Sequence, residues 1–329
     1  MVALRTRRRR SPISAPSGVG VFVMRCWAHR TPLAARLLVS VALLGACGRT
    51  GDRRVAVTRA AGAITVTDDA GRVVTLPAPA RRVVSLAPSS TELLFALGAG
   101  EQVVGRTTWC KYPPAALAVP VVGDGLNPNL EAVAARRPDL VVLYRSPLNE
   151  TAAAQLARIA IPAVLVKQDR LEDVARAARL LGTLTGHAAA GDSIATAVDT
   201  ALRTAPPSSR HVRLAFLVWD NPPMVIGRGS YLDQLAGLAG AVNVFRDIAA
   251  ASATVSLETI AARDPEVIVV LDDSTPAPAP AYTARPEWQA VRAVRQRRFL
   301  QLPAAVFGRP SPRTAEAVAE LRRRLEAWR

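Results

Sequence analysis

The sequence is poor in cysteine and histidine, and each shortage argues against a class of protein. Its three cysteines, Cys26, Cys47 and Cys110, are too few for the disulfide framework of a small secreted scaffold. A bare zinc or manganese receptor needs several histidine or carboxylate ligands, whereas only His187 and His211 follow residue 47. We therefore expect no resident metal site.

Catalytic signatures are missing as well. The chain has no Gly-x-Ser-x-Gly elbow, no phosphate-binding loop and no pair of acids at a telling spacing. Gly98-Ala99-Gly100 stands at a predicted helix end and lacks the dinucleotide-binding pattern. These absences argue against a periplasmic enzyme, so we expect no catalytic residues and no cofactor.

Lysine is nearly absent, and the cationic residues other than Lys111 and Lys167 are arginines. A net charge of +16 invites a nucleic-acid partner, but eight of these charges precede Cys47 in a stretch without any acid. Removing those eight leaves +8 on the rest, where both signs are mixed along the predicted helices. This distribution is typical of a solvated surface, and we expect no nucleic-acid partner.

No apolar run reaches the roughly 20 residues that span a bilayer. The longest run near the start, Leu37–Ala46, follows a basic segment and ends in small residues, as a secretory signal does. Leu44-Gly45-Ala46-Cys47 resembles a bacterial lipobox, in which the cysteine is acylated. We therefore predict a leader over 1–46, with Met24 a better start than Met1, and a flexible tether over 47–62. An uncleaved anchor helix is the alternative.

Strand and helix patterns alternate over 63–169 and again over 206–329, which predicts two α/β lobes with buried parallel sheets. Between them, 170–205 carries no strand pattern. It predicts one long helix from Leu171 to about Arg203, interrupted by Gly182 and Gly186. The fold class is thus two Rossmann-like lobes with parallel central sheets, joined by one long backbone helix.

An internal repeat supports two lobes of like topology. The segments 129–142 and 256–269 align without gaps, and each reads as a short helix, an Arg-x-Pro stop and a buried strand. In open α/β sheets, ligands bind beyond the carboxyl ends of the strands. We therefore expect a ligand cleft between the lobes, lined by residues that follow the strands.

Aromatic and charged residues are concentrated at these predicted strand ends, although aromatics make up only 5% of the chain. Flat apolar walls with a few polar groups suit a large planar ligand, whereas ordinary packing of loops on the lobe cores is the alternative. Arg145 and Arg228 could pair with anionic groups of a ligand or be plain surface arginines. The candidate ligand-binding residues are Trp109, Tyr112, Tyr144, Arg145, Trp219, Asp220 and Arg228.

Two further positions have open interpretations. Cys110 has no disulfide partner, and it is either a ligand contact or a small buried residue. Glu131 and Glu258 occupy equivalent places at the start of the repeated helices, where acids complement the helix dipole.

From about residue 63 onward the chain resembles the iron-siderophore/vitamin B12 class of ABC-transporter substrate-binding proteins. Several motifs carry the resemblance together, and any one alone would not. They are Arg82–Glu92, Tyr112-Pro113-Pro114, Asn129–Val142, Asn221-Pro222-Pro223, Ala239–Phe245 and Ser256–Val269.

This resemblance implies roles for several residues. One exposed glutamate per lobe engages arginines of the permease dimer in such proteins, and Glu131 and Glu258 match those positions. The implied protein is an exported, monomeric receptor, anchored by lipid on Cys47, which delivers a ligand to a permease with its ATPase. The long helix would act as a stiff link between the lobes.

The vitamin B12-binding members are the most similar, and in them aromatics of both lobes pack the corrin ring. Trp109 and Tyr144 fall on two of those positions, whereas Gly125 and the region around Ser252 lack the expected tryptophans. The resemblance thus favours a corrinoid and leaves haem or a ferric siderophore open.

Overall fold

The computed structural model describes residues 58–60, 62–124, 128–204, 211–273 and 280–326. Residues 53–329 form one compact unit. The predicted leader and the lipidation site Cys47 lie outside the described residues. Within the described ranges, no helix has both the length and the apolar character needed to cross a bilayer.

A small antiparallel sheet opens the compact unit, with strand order β1-β2-β3. Its strands are β1 (Thr58–Ala60), β2 (Ala63–Thr67) and β3 (Val73–Leu76). β2 and β3 form a hairpin, and Asp68 in its turn accepts hydrogen bonds from the backbone of Ala70 at 3.0 Å and Arg72 at 2.9 Å. The same carboxylate accepts from the backbone of Leu165 at 3.1 Å, which fixes the hairpin to the N-terminal lobe.

The N-terminal lobe has a sheet that is parallel, as predicted, and has four strands in the order β5-β4-β6-β7. Its elements are β4 (Val83–Ser85), α1 (Pro88–Ala96), β5 (Val103–Arg106), α2 (Leu130–Ala135), β6 (Leu140–Tyr144), α3 (Pro147–Arg158) and β7 (Ala163–Val166). Alternate strand residues enter two separate buried clusters, one on each face of the sheet. Helices therefore cover both faces, as continuous apolar strands require.

Helix α1 begins differently from the capping box that Ser89 and Glu92 suggest. Its N-cap is Ala87, and no side chain caps the first turn. Glu92 is buried and accepts two hydrogen bonds from Arg313 instead. The Ser89 and Glu92 pattern is that of a capping box, but the Glu92 carboxylate binds an arginine far along the chain and does not cap the helix.

The single helix expected over 170–205 is in fact two, α4 (Leu171–Thr185) and α5 (Ala188–Arg203), folded back on each other. Gly186 ends α4 in the left-handed conformation, with φ 80°. Arg179 of α4 pairs with Asp199 of α5 at 3.2 Å, as antiparallel neighbours do. The hairpin packs into the N-terminal core, while Leu171 and Leu202 at its open end reach the C-terminal core.

The C-terminal lobe has a six-stranded mixed sheet, in which the predicted parallel strands are extended by two antiparallel strands that were not predicted. Strands β8, β10, β12 and β13 are parallel, whereas β9 runs antiparallel to β8 and β11 antiparallel to β9. The strands are β8 (Val212–Asp220), β9 (Pro223–Ile226), β10 (Ala241–Asn243), β11 (Ser252–Thr254), β12 (Val267–Leu271) and β13 (Phe299–Leu302). The helices are α6 (Tyr231–Leu238), α7 (Leu257–Arg263), α8 (Arg292–Arg295), α9 (Ala304–Phe307) and α10 (Thr314–Glu326).

The internal repeat is reproduced in the backbone. Strands β6 and β12 begin and end at equivalent residues of the alignment. The residues before the two prolines, Arg137 and Asp264, both adopt the left-handed conformation, with φ 48° and 46°. The first strand of each lobe is fixed in the same way, because Asp139 accepts from the backbone of Arg82 and Glu266 from that of Arg213.

Candidate functional site

Exposed apolar side chains gather where the parallel strands of each lobe end. In a βα unit, the end of the strand and the first turn of the next helix share one edge of the sheet. Five of the large exposed apolar residues lie at this carboxyl edge: Trp109, Tyr144, Leu148, Val218 and Trp219. Such a concentration indicates a surface for a ligand or a partner rather than ordinary solvated surface.

Trp109 and Tyr112 lie in the loop after β5. The Trp109 side chain is 57% exposed, and the ammonium of Lys111 lies 5.9 Å from the centre of its ring. Tyr112 is half-buried, because the guanidinium of Arg313 from the other lobe lies 3.9 Å from its ring centre. The carboxyl edges of the two lobes therefore meet at Tyr112, whereas the Trp109 ring remains exposed to solvent.

Tyr144 ends β6 and Arg145 follows it, on the other side of β4 from the Trp109 loop. The Tyr144 hydroxyl donates to Asp169 at 2.6 Å. Partial burial, and then this hydrogen bond and the charge of Asp169, raise the pKa of Tyr144 to about 12. Arg145 pairs with Glu150 at 3.6 Å. The Tyr144 ring is thus held in place, and the charge of Arg145 is already matched within the lobe.

Trp219 and Asp220 end β8 in the C-terminal lobe. Trp219 is 61% exposed, and its indole N–H donates to the carbonyl of Asn221 at 2.8 Å, which orients the ring. Asp220 forms an ion pair with Arg285. Both residues line a half-open cavity of about 490 Å³. This volume lies within the usual range of small-molecule pockets.

Three residues of this cavity region were missed by the sequence prediction. Asp272 directly follows β12, so the strand-end rule could have found it. Tyr282 and Arg285 lie beyond it in and after a short 3₁₀ helix, Ala281–Ala284, and no local pattern indicates them. Tyr282 is buried against Trp288, with ring centres 4.4 Å apart, and it forms part of the cavity wall.

Two candidates lie elsewhere. Arg228 is exposed in the turn after β9, and its carbonyl accepts a hydrogen bond from Arg170 at 2.8 Å, which links the start of α4 to the C-terminal lobe. Cys110 is fully buried, with its sulfur 3.0 Å from the hydroxyl of Thr91 and 3.1 Å from that of Thr107. This placement matches a small buried residue rather than a ligand contact. Gly125 lies outside the described residues, and Ser252 is exposed at the start of β11.

Glu131 and Glu258 occupy matching positions in the first turns of α2 and α7. Both side chains are exposed, and both helices begin at the carboxyl edge of their sheet. The caps match too, since Asn129 accepts from the backbone of Ala132 and Ser256 from that of Thr259. A hydrogen bond from Ser256 lowers the pKa of Glu258, which keeps that carboxylate ionised.

Within the described ranges, no group of three or more His, Cys, Asp or Glu side chains is arranged to hold a metal ion. The residues at the carboxyl edges are instead aromatic rings and a few charged side chains, among them the paired Arg145 and Asp220. This arrangement can bind a flat ligand by stacking and by a few polar contacts.

Known proteins share both the sequence and the fold. The vitamin B12-binding protein of Vibrio cholerae is 28% identical over 249 residues, which cover 74% of this chain and 89% of that protein. An uncharacterized ABC transporter substrate-binding lipoprotein of Bacillus subtilis, YvrC, is 26% identical over 89% of this chain and 96% of its own length.

Solved structures agree. The periplasmic vitamin B12-binding protein BtuF of Vibrio cholerae has a TM-score of 0.64 at 27% identity, covering 76% of this chain and 98% of that one. The periplasmic haem-binding protein RhuT of Roseiflexus sp. has a TM-score of 0.66 at 26% identity, covering 75% and 98%. These relatives are named as binding proteins rather than enzymes.

The sequence also matches the family described as periplasmic binding protein over residues 83–306, which run from the start of β4 to α9. This match includes the first parallel strand of each lobe, the helical hairpin between them and every candidate ligand-binding residue. The chain belongs to the periplasmic binding protein family.

Proposed function

We propose that this protein is the substrate-binding lipoprotein of an ABC importer and captures a metal chelate, a corrinoid first of all. The observation that carries the proposal is the set of exposed aromatic rings at the carboxyl edges of both lobes, Trp109 and Tyr144 on one and Trp219 on the other. Rings facing a cleft from two sides suit a macrocycle with two flat faces. Relatives with similar sequences are named vitamin B12-binding proteins.

The charges beside these rings support the same ligand. Arg145 is paired with Glu150, and Asp220 is paired with Arg285. Because these charged groups are matched within their own lobes, they offer little unpaired charge to a strongly anionic ligand. A corrinoid bears mostly neutral amide side chains, so it fits this edge better than a ligand with several carboxylates.

The test is a titration of the purified chain from residue 48 with cyanocobalamin, haemin and a ferric hydroxamate, read by tryptophan fluorescence. We expect cyanocobalamin to quench Trp109 and Trp219 with a dissociation constant of about 1 μM or tighter. If haemin or the ferric hydroxamate binds saturably and cyanocobalamin does not, the ligand is a haem or a ferric siderophore instead of a corrinoid. No response to any of the three would refute a chelate receptor.

Variants assign the binding to the cleft. Trp109→Ala and Trp219→Ala should each weaken binding by about tenfold or more, as truncation of an aromatic anchor does. Ile159→Ala is the matched control, because Ile159 is also a large exposed apolar residue but lies at the far end of α3. An equal loss in the control would place the ligand elsewhere.

The same proposal assigns Glu131 and Glu258 to docking on the permease dimer. Equivalent acids, one on each lobe, suit a partner built from two equivalent subunits. Both side chains are exposed in the first turn of a helix, so a partner could contact them without unfolding the lobe.

The lipid anchor is the most direct part of the proposal to test. We expect Cys47→Ser to abolish incorporation of labelled palmitate and to move the protein from the membrane fraction to the soluble fraction. Cys26→Ser is the matched control and should leave both unchanged, because Cys26 lies before the lipobox. Membrane retention and labelling of the Cys47→Ser variant would contradict acylation at this cysteine.

A further inference from the structure

A buried ion pair joins the two lobes directly. Glu92 of α1 is only 3% exposed, and it is contacted by two arginines that precede α10 in the C-terminal lobe. Arg313 binds it with two hydrogen bonds, Nε to Oε1 at 2.7 Å and Nη2 to Oε2 at 3.1 Å. Arg309 adds a contact from Nε to Oε2 at 3.6 Å. We call these three residues the lobe latch.

The latch forms only in one arrangement of the lobes. Glu92 and Arg313 are 221 residues apart in the chain, so nothing local holds them together. A carboxylate taken out of water is costly unless a partner satisfies it, and a bidentate guanidinium does so only within a narrow geometry. The pair therefore contributes more to how the lobes are placed than to net stability.

Arg313 also connects the latch to the cleft. Its guanidinium lies 3.9 Å from the centre of the Tyr112 ring and donates to the carbonyl of Ala305 at 2.7 Å. Tyr112 belongs to the same loop as Trp109, which is exposed at the carboxyl edge. One side chain of the C-terminal lobe thus fixes both a helix and an aromatic loop of the N-terminal lobe.

We infer that Arg313 is a positioning residue for ligand capture, which sets the spacing of the two lobes through Glu92 and holds the Tyr112 loop in its binding position. The part that concerns the ligand rests on the function proposed above. The part that concerns lobe spacing does not, since it applies to the protein without ligand.

The test measures the distance between spin labels on the two lobes. Ala157→Cys on α3 and Ala319→Cys on α10 offer exposed sites, and the native Cys110 is fully buried. The experiment uses the chain from residue 48, which contains the whole compact unit 53–329. Glu92→Gln with Arg313→Gln removes both charges together, so neither is left buried without its partner.

We expect a single narrow distance distribution in the parent protein. The double variant should give a broader one with an added longer distance, and ligand dissociation about tenfold faster. Asp264→Asn with Arg292→Gln is the matched control, because that pair has a similar separation of 2.8 Å but lies within one lobe. The control should keep the parent distribution.

Arg313→Lys provides a second variant if the double variant fails to fold. Lysine keeps the charge but lacks the planar fork, so we expect a partly broadened distribution. Distributions equal to the parent's in every variant that folds would overturn the role in lobe spacing. Broadening in a protein that binds no chelate would leave the latch standing and refute the proposed function instead.

Discussion

Reversing the charges of Glu131 and Glu258 together should abolish ligand uptake by cells and leave ligand binding unchanged. Both side chains are exposed and lie in the first turns of α2 and α7, so the fold does not depend on their packing. If a cationic patch on each permease subunit receives one acid, two arginines in their place bring like charges together at both contacts. Charges set opposite a like charge at an interface cost several kcal/mol each.

Uptake of labelled cyanocobalamin in a strain lacking the native protein measures this effect, and fluorescence titration of the purified variant checks binding. Glu101→Arg with Glu326→Arg is the matched control. It changes the net charge equally, but at exposed acids near the opposite edge of each lobe. Normal uptake by the Glu131→Arg, Glu258→Arg variant would show that these residues do not dock the permease.

Replacing Gly191 with valine should lower the free energy of unfolding by about 3 kcal/mol, the upper range for overpacking a tight contact. Helices α4 and α5 touch so closely at this point that a Cβ on Gly191 would lie 2.6 Å from the carbonyl oxygen of Ala178. That oxygen belongs to helical backbone and cannot move aside as a flexible side chain can. Gly182 has a similar contact, 2.9 Å from the carbonyl oxygen of His187.

Urea denaturation measures the loss. Gly237→Val is the matched control, because Gly237 lies within α6 and a Cβ there would meet nothing within 4 Å. Valine has a slightly higher helix propensity than glycine, so the control should change stability by less than about 0.5 kcal/mol. Equal stability of the two variants would mean that the helices separate without cost.

The sequence predicts the lobes well because their signals are local. The stops before Pro138 and Pro265 and the buried strands after them appear in both halves, and the structure reproduces both. The antiparallel strands β9 and β11 escaped prediction because both are short. β9 forms a tight hairpin with β8 across Asn221-Pro222, and β11 pairs with β9, which is distant in sequence. The α4–α5 hairpin escaped it as well. Helical periodicity continues through both halves, whereas the left-handed turn at Gly186 and the close contact at Gly191 show that the chain turns back.

The sequence predicts those site residues that lie at or directly after the end of a strand. That rule finds Trp109, Tyr144 and Trp219, which the structure leaves exposed at the carboxyl edges. It does not find Arg285, because that residue reaches Asp220 from between two short 3₁₀ helices and follows no strand. Nor does it find the partner of Glu92, because an acid three residues after a serine has the same local pattern whether it caps the helix or binds an arginine far along the chain.

The repeated helix-stop-strand unit has a mechanical consequence. In each lobe it carries an acid at one end, Glu131 or Glu258, and delivers a strand to the cleft at the other. If each acid engages one permease subunit, the distance between the two carboxylates is set by the spacing of the two lobes. A permease dimer with two cationic docking sites at a fixed separation would then respond to ligand binding through this distance, and it would need no contact with the ligand itself.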